Sequence, residues 1–318
     1  MSRRVYPENA PTIFVHGGCD VNDAVNIELI RSRYRLDGPK YGYNKQSLDF
    51  NTEFRFHESP SIMSMYSTPS SIAYRVYDSL KTQYQYTHDQ IVALEETLKY
   101  PVLEFYKRHA KENDILVIGF ISELNLKIKQ GSECFTVSPN FRSFQNPLDP
   151  LHWLYTDFIC NTSLQSPFFE YRNLQQTKEH LKDFVREIYS IFKDRVIIVD
   201  THMANVFYEN NSLRPLNYTS NQFPFYSLSR FTNTPADSTS IRKWMTTFIR
   251  VFKHFYPCDI SVVSINRDEC FMDPAHRFGP MLTHLHPYSI NKIGTELCKE
   301  LDKINTRCKN TFSQQLII

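Results

Sequence analysis

Residues 12–20 read TIFVHGGCD, and this stretch decides how the chain folds. Its first five residues, Thr12 to His16, are β-branched or aromatic in most positions, which is typical of a buried strand. Two glycines end the run sharply, and residues 20–34 then carry apolar side chains at helical spacing. The pattern predicts a strand, a tight glycine turn and a helix, with Cys19 in the turn.

The same alternation continues through most of the chain. Further predicted strands lie at 50–57, 114–121, 195–199 and 259–265, and further predicted helices at 87–103, 173–192, 238–255 and 289–304. Strands that alternate with long helices favour a parallel sheet with helices on both faces. We therefore expect an α/β fold, a three-layer α/β/α sandwich, as a single domain over 1–318 with loop insertions around 56–72 and 139–170. In such sheets the active site lies beyond the carboxyl ends of the strands.

Composition excludes several classes of protein. Lys and Arg number 36 against 34 Asp and Glu, and this near-balance gives no electrostatic footprint for nucleic acid. The sequence has no apolar run of ~18 residues, so we expect no membrane span. The amino-terminal residues lack the apolar segment of a secretion signal, which predicts a cytoplasmic protein. The seven cysteines include no CxxC pair, so neither a zinc ribbon nor a thioredoxin-type motif is indicated.

Cys19 is the first candidate for chemistry. Backbone N–H groups at a helix start carry partial positive charge, which favours a thiolate and can hold an oxyanion. Gly17 and Gly18 would let a substrate carbonyl approach the backbone closely. A buried structural cysteine behind a glycine turn is the plainer interpretation of the same residues.

The second candidate is a histidine-rich block that follows the last predicted strand. Asp273 and His276 are spaced so that the carboxylate can orient the imidazole, which would make His276 the general base for Cys19. His284 and His286 are expected to contact substrate, and either could replace His276 as the base. Three histidines with Asp273 could also bind a metal, but no ligand spacing such as HExxH occurs, and we expect none. A solvated surface loop is the plainer alternative.

At these two places the sequence resembles a known group. The run His16-Gly17-Gly18-Cys19 resembles the first block of SGNH (GDSL-type) hydrolases, and its cysteine resembles that of SGNH-like proteins from bacterial capsule and polysaccharide loci. The block from Asp273 to Gly279, with His284 beyond it, resembles the carboxyl-terminal block of that group. Residues 114–123 resemble its central strand, which usually ends in an acidic residue such as Glu123.

This resemblance implies acyl transfer, as an acetyltransferase or esterase acting on a sugar or polysaccharide precursor. It implies Cys19 as nucleophile, with acyl-CoA as a possible co-substrate and no tightly bound cofactor. Ser122, Glu123 and Asp23 are expected beside the substrate. Two departures are plain: Asn22-Asp23 stands where the group often has Arg-Asp, and no Arg-x-Ser-type motif occurs near residue 60.

Two other functions fit the same pattern. A glycosyltransferase, or another nucleotide-sugar-dependent enzyme, would use the helix starts of a doubly wound fold to bind phosphates. A catalytically inactive binding protein would keep the fold and have an unreactive Cys19. The sequence does not indicate an oligomeric state.

Overall fold

The computed structural model describes residues 11–37, 102–120, 127–130, 133–136, 174–201, 204, 206–209, 212–215, 238–273 and 285–315. The strands are β1 Thr12–His16, β2 Arg35–Asp37, β3 Ile115–Ile118, β4 Lys127–Gln130, β5 Glu133–Thr136, β6 Val196–Val199, β7 Val206–Glu209, β8 Ser212–Pro215, β9 Ser261–Val263 and β10 Phe271–Met272. The α-helices are α1 Cys19–Val25, α2 Glu28–Arg31, α3 Val102–His109, α4 Leu174–Phe192, α5 Ser238–Phe255 and α6 Pro287–Gln315. A 3₁₀ turn spans Arg267–Glu269.

Within the described residues, the central sheet has five strands in the order β2-β1-β3-β6-β9, and every neighbouring pair is parallel. The predicted α/β fold with a parallel sheet is therefore confirmed. The chain moves from β1 to β2 on one side and then returns to build β3, β6 and β9 on the other. The direction of winding reverses between β1 and β3, the topological switch point of a doubly wound sheet.

Helices cover both faces of this sheet. On one face, the Phe14 ring of β1 packs against Phe105 of α3 and Phe192 of α4, at centroid distances of 6.1 and 5.6 Å. Phe120, just after β3, packs there against α5. On the other face, Ser261 of β9 donates its hydroxyl proton to Glu300 of α6 at 2.7 Å. Because both faces are covered, β3 and β6 are buried along their whole length, which explains their unbroken apolar sequences.

Helices α1 and α6 run side by side in the same direction. The Tyr34 hydroxyl, just before β2, donates to Asp302 at 2.7 Å and so places this part of α6 at the amino edge of the sheet. Pro287 lies fifteen residues earlier in α6, about 22 Å away at ~1.5 Å per residue, toward the carboxyl edge. The helices meet at Gly294, where an added Cβ would lie 2.8 Å from the Ala24 carbonyl oxygen.

Several predicted element bounds differ from the structure; the helix predicted at 87–103, for example, continues to His109 in α3. The helix expected over 20–34 is divided into α1 and α2. Asn26 is the C-cap of α1, and both its backbone N–H (3.2 Å) and its side-chain amide (2.7 Å) donate to the Asn22 carbonyl. Ile27 is then extended at ψ 148°. The last helix is longer than predicted, and β9 is shorter than the strand expected at 259–265. The predicted strand at 50–57 and the insertions at 56–72 and 139–170 lie outside the described residues.

A smaller sheet, β10-β7-β8, is built from segments that follow the carboxyl ends of β6 and β9. β10 pairs with β7 in parallel, and β7 with β8 in antiparallel. β4 and β5 form a separate antiparallel pair. Among the described residues, no helix has both the length and the apolar character that crossing a membrane requires.

Candidate active site

Cys19 is the first residue of α1, directly behind the carboxyl end of β1. Gly18 is the N-cap, with extended backbone at φ −91° and ψ −161°, and as a glycine it has no side chain with which to cap the helix. The Gly119 N–H, just after β3, donates to the His16 carbonyl at 2.7 Å and holds the two strand ends together. Cys19 therefore lies at the switch point, where doubly wound sheets bind their ligands.

Asn22 fixes the conformation of this turn. Its side-chain amide donates to the carbonyl oxygens of Gly18 at 3.0 Å and Gly17 at 3.4 Å, and its backbone N–H also donates to Gly18. In a trans peptide the C=O and N–H groups point in opposite directions. The N–H groups of Gly18 and Cys19 are therefore directed away from Asn22, as an oxyanion-binding pair would need. Sequence reasoning noted Asn22 only as the place of a missing arginine.

Gly17 is a glycine because the chain packs against itself there. A Cβ at this position would lie 2.8 Å from Val21 Cγ2 and 3.2 Å from the Gly119 backbone nitrogen. The turn can approach the end of β3 only without a side chain. The expected close approach of a substrate carbonyl at Gly17 and Gly18 stays a prediction.

His16 belongs to the core. It is 1% exposed, its Nδ1 lies 3.0 Å from the Tyr106 hydroxyl, and its ring lies 5.6 Å from that of Phe184. Burial lowers the pKa of His16 to about 3, so the ring is neutral at physiological pH. It faces α3 and α4, the face opposite to α1, and its role in the HGGC motif is to fill that layer.

The two ends of the histidine-rich block are held together. Met272 and Leu285 form an antiparallel bridge, and the His286 N–H donates to the Phe271 carbonyl at 2.7 Å. Half-buried Asp273 follows this bridge directly. The Ser289 hydroxyl accepts the Phe271 N–H at 3.0 Å and donates to the Glu269 carbonyl at 2.6 Å, which ties β10 to α6.

His286 is the N-cap of α6. Its carbonyl accepts the Ile290 N–H at 3.1 Å, and its ring Nδ1 accepts the Tyr288 N–H at 3.2 Å. Pro287 fills the first helical position, where a missing N–H does no harm. The imidazole thus supplies the acceptor that a serine or aspartate side chain supplies at most helix starts.

The predicted site residues within the described ranges share one edge of the sheet. Cys19 lies five residues before Ala24 in α1, which is about 7 Å toward the start of that helix at ~1.5 Å per residue. His286 lies eight residues before Gly294, which is about 12 Å toward the start of α6. Since α1 and α6 run in the same direction and touch at Ala24 and Gly294, both starts reach the carboxyl edge. Asp23 lies one turn after Cys19 on the same side of α1 and is half-buried.

Other predicted site residues, namely His276, His284, Ser122 and Glu123, lie outside the described residues. Two polar residues that follow β6 add to the edge: Asp200, 9% exposed, whose N–H donates to the Val263 carbonyl at 2.8 Å, and Thr201, 2% exposed. The sequence alone had given Asp200 no role. Within the described ranges, no three His, Cys, Asp or Glu residues are grouped as a metal site requires.

The chain matches no protein-family model, no curated protein and no solved structure.

Proposed function

We propose that the protein transfers an acyl group through Cys19, as an SGNH-type acyltransferase or esterase that acts on a sugar or polysaccharide precursor. One observation carries this proposal: Cys19 begins α1 at the switch point, in a turn whose carbonyls are held by Asn22. That arrangement puts a nucleophilic side-chain type and two outward N–H groups at the place where a doubly wound sheet binds substrate.

The reaction has two steps, with acyl-CoA as the donor class. The base takes the Cys19 proton, and the thiolate forms a bond to the acyl carbonyl carbon while the π electrons move to oxygen. When this oxyanion collapses, the bond to the CoA sulfur breaks and the leaving thiolate takes the proton from the base. A sugar hydroxyl then gives its proton to the base, attacks the acyl carbon and expels the Cys19 thiolate. Water in place of the sugar gives hydrolysis.

The remaining roles come from the sequence. His276 is the proposed base, Asp273 orients it, and Ser122, Glu123 and His284 line the substrate side. The position of Asp273 supports this assignment, because the Met272–Leu285 bridge brings the ends of its block together beside the start of α6.

The decisive experiment measures the reactivity of Cys19. Iodoacetamide labelling across pH, read by peptide mapping, is compared with labelling of Cys258, a half-buried thiol whose pKa is raised, first by burial. We expect Cys19 to label at least ~10-fold faster at pH 7, because a thiol at a helix start is more ionised. Acetyl-CoA is expected to slow the labelling of Cys19 and not of Cys258.

Activity is measured as hydrolysis of p-nitrophenyl acetate by the full chain. Cys19→Ala is expected to abolish it and Cys258→Ala to leave it unchanged. Equal labelling of Cys19 and Cys258, together with full activity of Cys19→Ala, overturns the proposal.

The strand order of the sheet is also compatible with a second candidate function. A nucleotide-sugar-dependent enzyme would bind its diphosphate at the same switch point. It predicts that UDP raises the melting temperature of both wild type and Cys19→Ala, whereas the acyltransferase predicts no effect of UDP. An inactive binding protein predicts an unreactive Cys19 and no turnover of p-nitrophenyl acetate.

A further inference from the structure

β10 and residues 285–286 pair as antiparallel strands do. Met272 and Leu285 form the bridge, and the His286 N–H donates to the Phe271 carbonyl at 2.7 Å. In an antiparallel ladder such opposite residues exchange two hydrogen bonds, so a regular ladder would return the Phe271 N–H to the His286 carbonyl. That carbonyl is instead directed into α6, where it accepts the Ile290 N–H at 3.1 Å. The start of the helix thus occupies the acceptor that the strand would use.

The Ser289 hydroxyl takes the place of this acceptor. It accepts the Phe271 N–H at 3.0 Å and donates its own proton to the Glu269 carbonyl at 2.6 Å. A hydroxyl group can do both at once, because it has one proton and two lone pairs. Ser289 is 0% exposed, so both bonds are shielded from water. One buried side chain therefore allows a strand pair to lead directly into a helix.

These bonds determine where β10 lies relative to α6. The Phe271 N–H is bound by Ser289 and the Phe271 carbonyl by His286, so any shift of the strand along the helix start breaks buried hydrogen bonds. Asp273 lies two residues after Phe271, or ~7 Å at ~3.3 Å per residue. The backbone of Asp273 is therefore placed by contacts that lie just before it in the chain.

We propose that Ser289 is a positioning residue for acyl transfer, which fixes β10 against the start of α6 and thereby holds Asp273 where it orients the base. This inference rests on the proposed function, which gives Asp273 that role. A site residue keeps a productive geometry only when neighbouring groups fix it by packing and hydrogen bonds. Ser289 supplies such support through the backbone of β10.

The first test compares two variants that lose buried bonds at opposite edges of the sheet. Ser289→Ala removes the hydroxyl and leaves the Phe271 N–H without this acceptor. Asp114→Asn is the matched control, because Asp114 is 4% exposed and its carboxylate likewise accepts backbone N–H groups, at 2.8 Å each. We expect both variants to lower the midpoint of urea denaturation.

Only Ser289→Ala is expected to impair catalysis of p-nitrophenyl acetate hydrolysis by the folded full chain. We expect kcat to fall ~10²-fold, as a misplacement of ~1 Å can cause, and KM to stay unchanged, because the orientation of the base matters in the transition state. Ser289→Cys keeps a weaker donor and acceptor at the same place, so its kcat should be intermediate. Wild-type kcat in both folded Ser289 variants, or an equal fall in Asp114→Asn, overturns the inference.

A double-mutant cycle with Asp273 separates positioning from a general loosening of the fold. If Ser289 acts through Asp273, the double variant Ser289→Ala/Asp273→Asn loses no more kcat than Asp273→Asn alone. Losses that multiply would mean that the two residues act independently, which contradicts the inference. Cys19→Ala keeps the two proposals apart. If Cys19→Ala is fully active, the proposed function fails and this role fails with it. If Cys19 is required and the Ser289 variants retain wild-type kcat, only this inference fails.

Discussion

The side-chain amide of Asn22 donates to the carbonyl oxygen of Gly18, four residues earlier, at 3.0 Å. The same carbonyl accepts the Asn22 backbone N–H at 3.0 Å. Asn22 is 2% exposed, so these bonds are shielded from water. The orientation of the turn before Cys19 therefore depends on one buried amide.

Replacing Asn22 with Asp tests this dependence. The carboxylate has nearly the same shape but cannot donate, and it would face the carbonyl oxygens of Gly17 and Gly18. We expect the free energy of unfolding to fall by ~2–4 kcal/mol, the effect of unsatisfied and repelling buried groups, and Cys19 alkylation to slow. Urea denaturation and peptide mapping measure the two effects.

Asn26→Asp is the matched control, because Asn26 donates to the Asn22 carbonyl at 2.7 Å from the opposite end of α1. We expect it to lower stability without changing the rate of Cys19 alkylation. Equal rates in wild type and Asn22→Asp would show that the turn does not need its amide.

The buried His16 makes the free energy of unfolding depend on pH in the acid range. Burial lowers the pKa of His16 to about 3, against 6.5 for an ordinary histidine. Between these values the unfolded chain binds a proton that the folded chain does not. Stability is therefore complete above pH 6.5 and falls as the pH drops toward 3, by up to ~1.4 kcal/mol per pH unit.

The measurement is urea denaturation at pH 7, 5.5 and 4.5, in wild type and His16→Gln. We expect the variant to be less stable than wild type at pH 7, because it replaces a buried ring. Because glutamine does not titrate, we expect the variant to lose less stability on acidification. His254→Asn, which changes an exposed histidine, is expected to follow wild type. An identical acid dependence in His16→Gln and wild type would rule out the buried neutral state.

How far the sequence predicts the structure depends on the range of the interactions involved. β1, β3 and β6 are covered on both faces, so the apolar composition of 12–16, 114–121 and 195–199 alone indicated buried strands. β2 has three residues and β10 has two. Both are strands only because they pair with neighbouring strands, and no local sequence pattern reveals that pairing. The role of His286 as a helix cap likewise depends on where α6 begins, two residues before the start that its apolar face predicts.

At the candidate site, turn and spacing predicted roles for Cys19 and Asp273, and those roles stay predictions. It assigned no contacts to Asn22, because an amide that bonds to backbone carbonyls leaves no apolar or charge pattern. Gly17 is predicted to let substrate approach, and the structure adds a packing reason for its lack of a side chain, which accommodates Val21 and the end of β3. Such packing reasons appear only when neighbouring strands are placed.

Asp114 stabilises the opposite edge of the sheet. It is 4% exposed, and its two carboxylate oxygens accept the N–H groups of Thr12 and Lys111, each at 2.8 Å. Asp114→Asn turns one acceptor into a donor that faces an N–H. We expect the free energy of unfolding to fall by ~2–4 kcal/mol in urea denaturation, since hydrogen bonds to a charged acceptor contribute ~1.5–3 kcal/mol each.

Cys19 alkylation should be unchanged in Asp114→Asn under native conditions, because β1 separates the two positions. Asp183→Asn is the surface control: this residue pairs with Arg186 at 3.1 Å in a half-exposed salt bridge on α4. Its effect is expected within ~0.5 kcal/mol. A similar loss in both variants would mean that the buried bonds of Asp114 contribute no more than a surface pair.

Gly294 sets the distance between α1 and α6. An added Cβ would lie 2.8 Å from the Ala24 carbonyl oxygen and 2.5 Å from Ile27 Cδ1. Alanine favours a helix over glycine by ~1 kcal/mol, but the carbonyl is backbone and cannot rotate away. We expect Gly294→Ala to lower the free energy of unfolding by ~1–3 kcal/mol, as overpacking does in other cores.

The same substitution moves the start of α6 relative to that of α1. We therefore expect p-nitrophenyl acetate hydrolysis to fall more than Cys19 alkylation, because His286 shifts while the turn before Cys19 is kept by Asn22. Thr295→Ala, an exposed change in the next position of α6, should alter neither. Adding Ile27→Ala to Gly294→Ala removes one of the two clashes, so the pair should lose less stability than the sum of the single changes. Strict additivity would mean that the positions of Gly294 and Ile27 do not interact at this crossing.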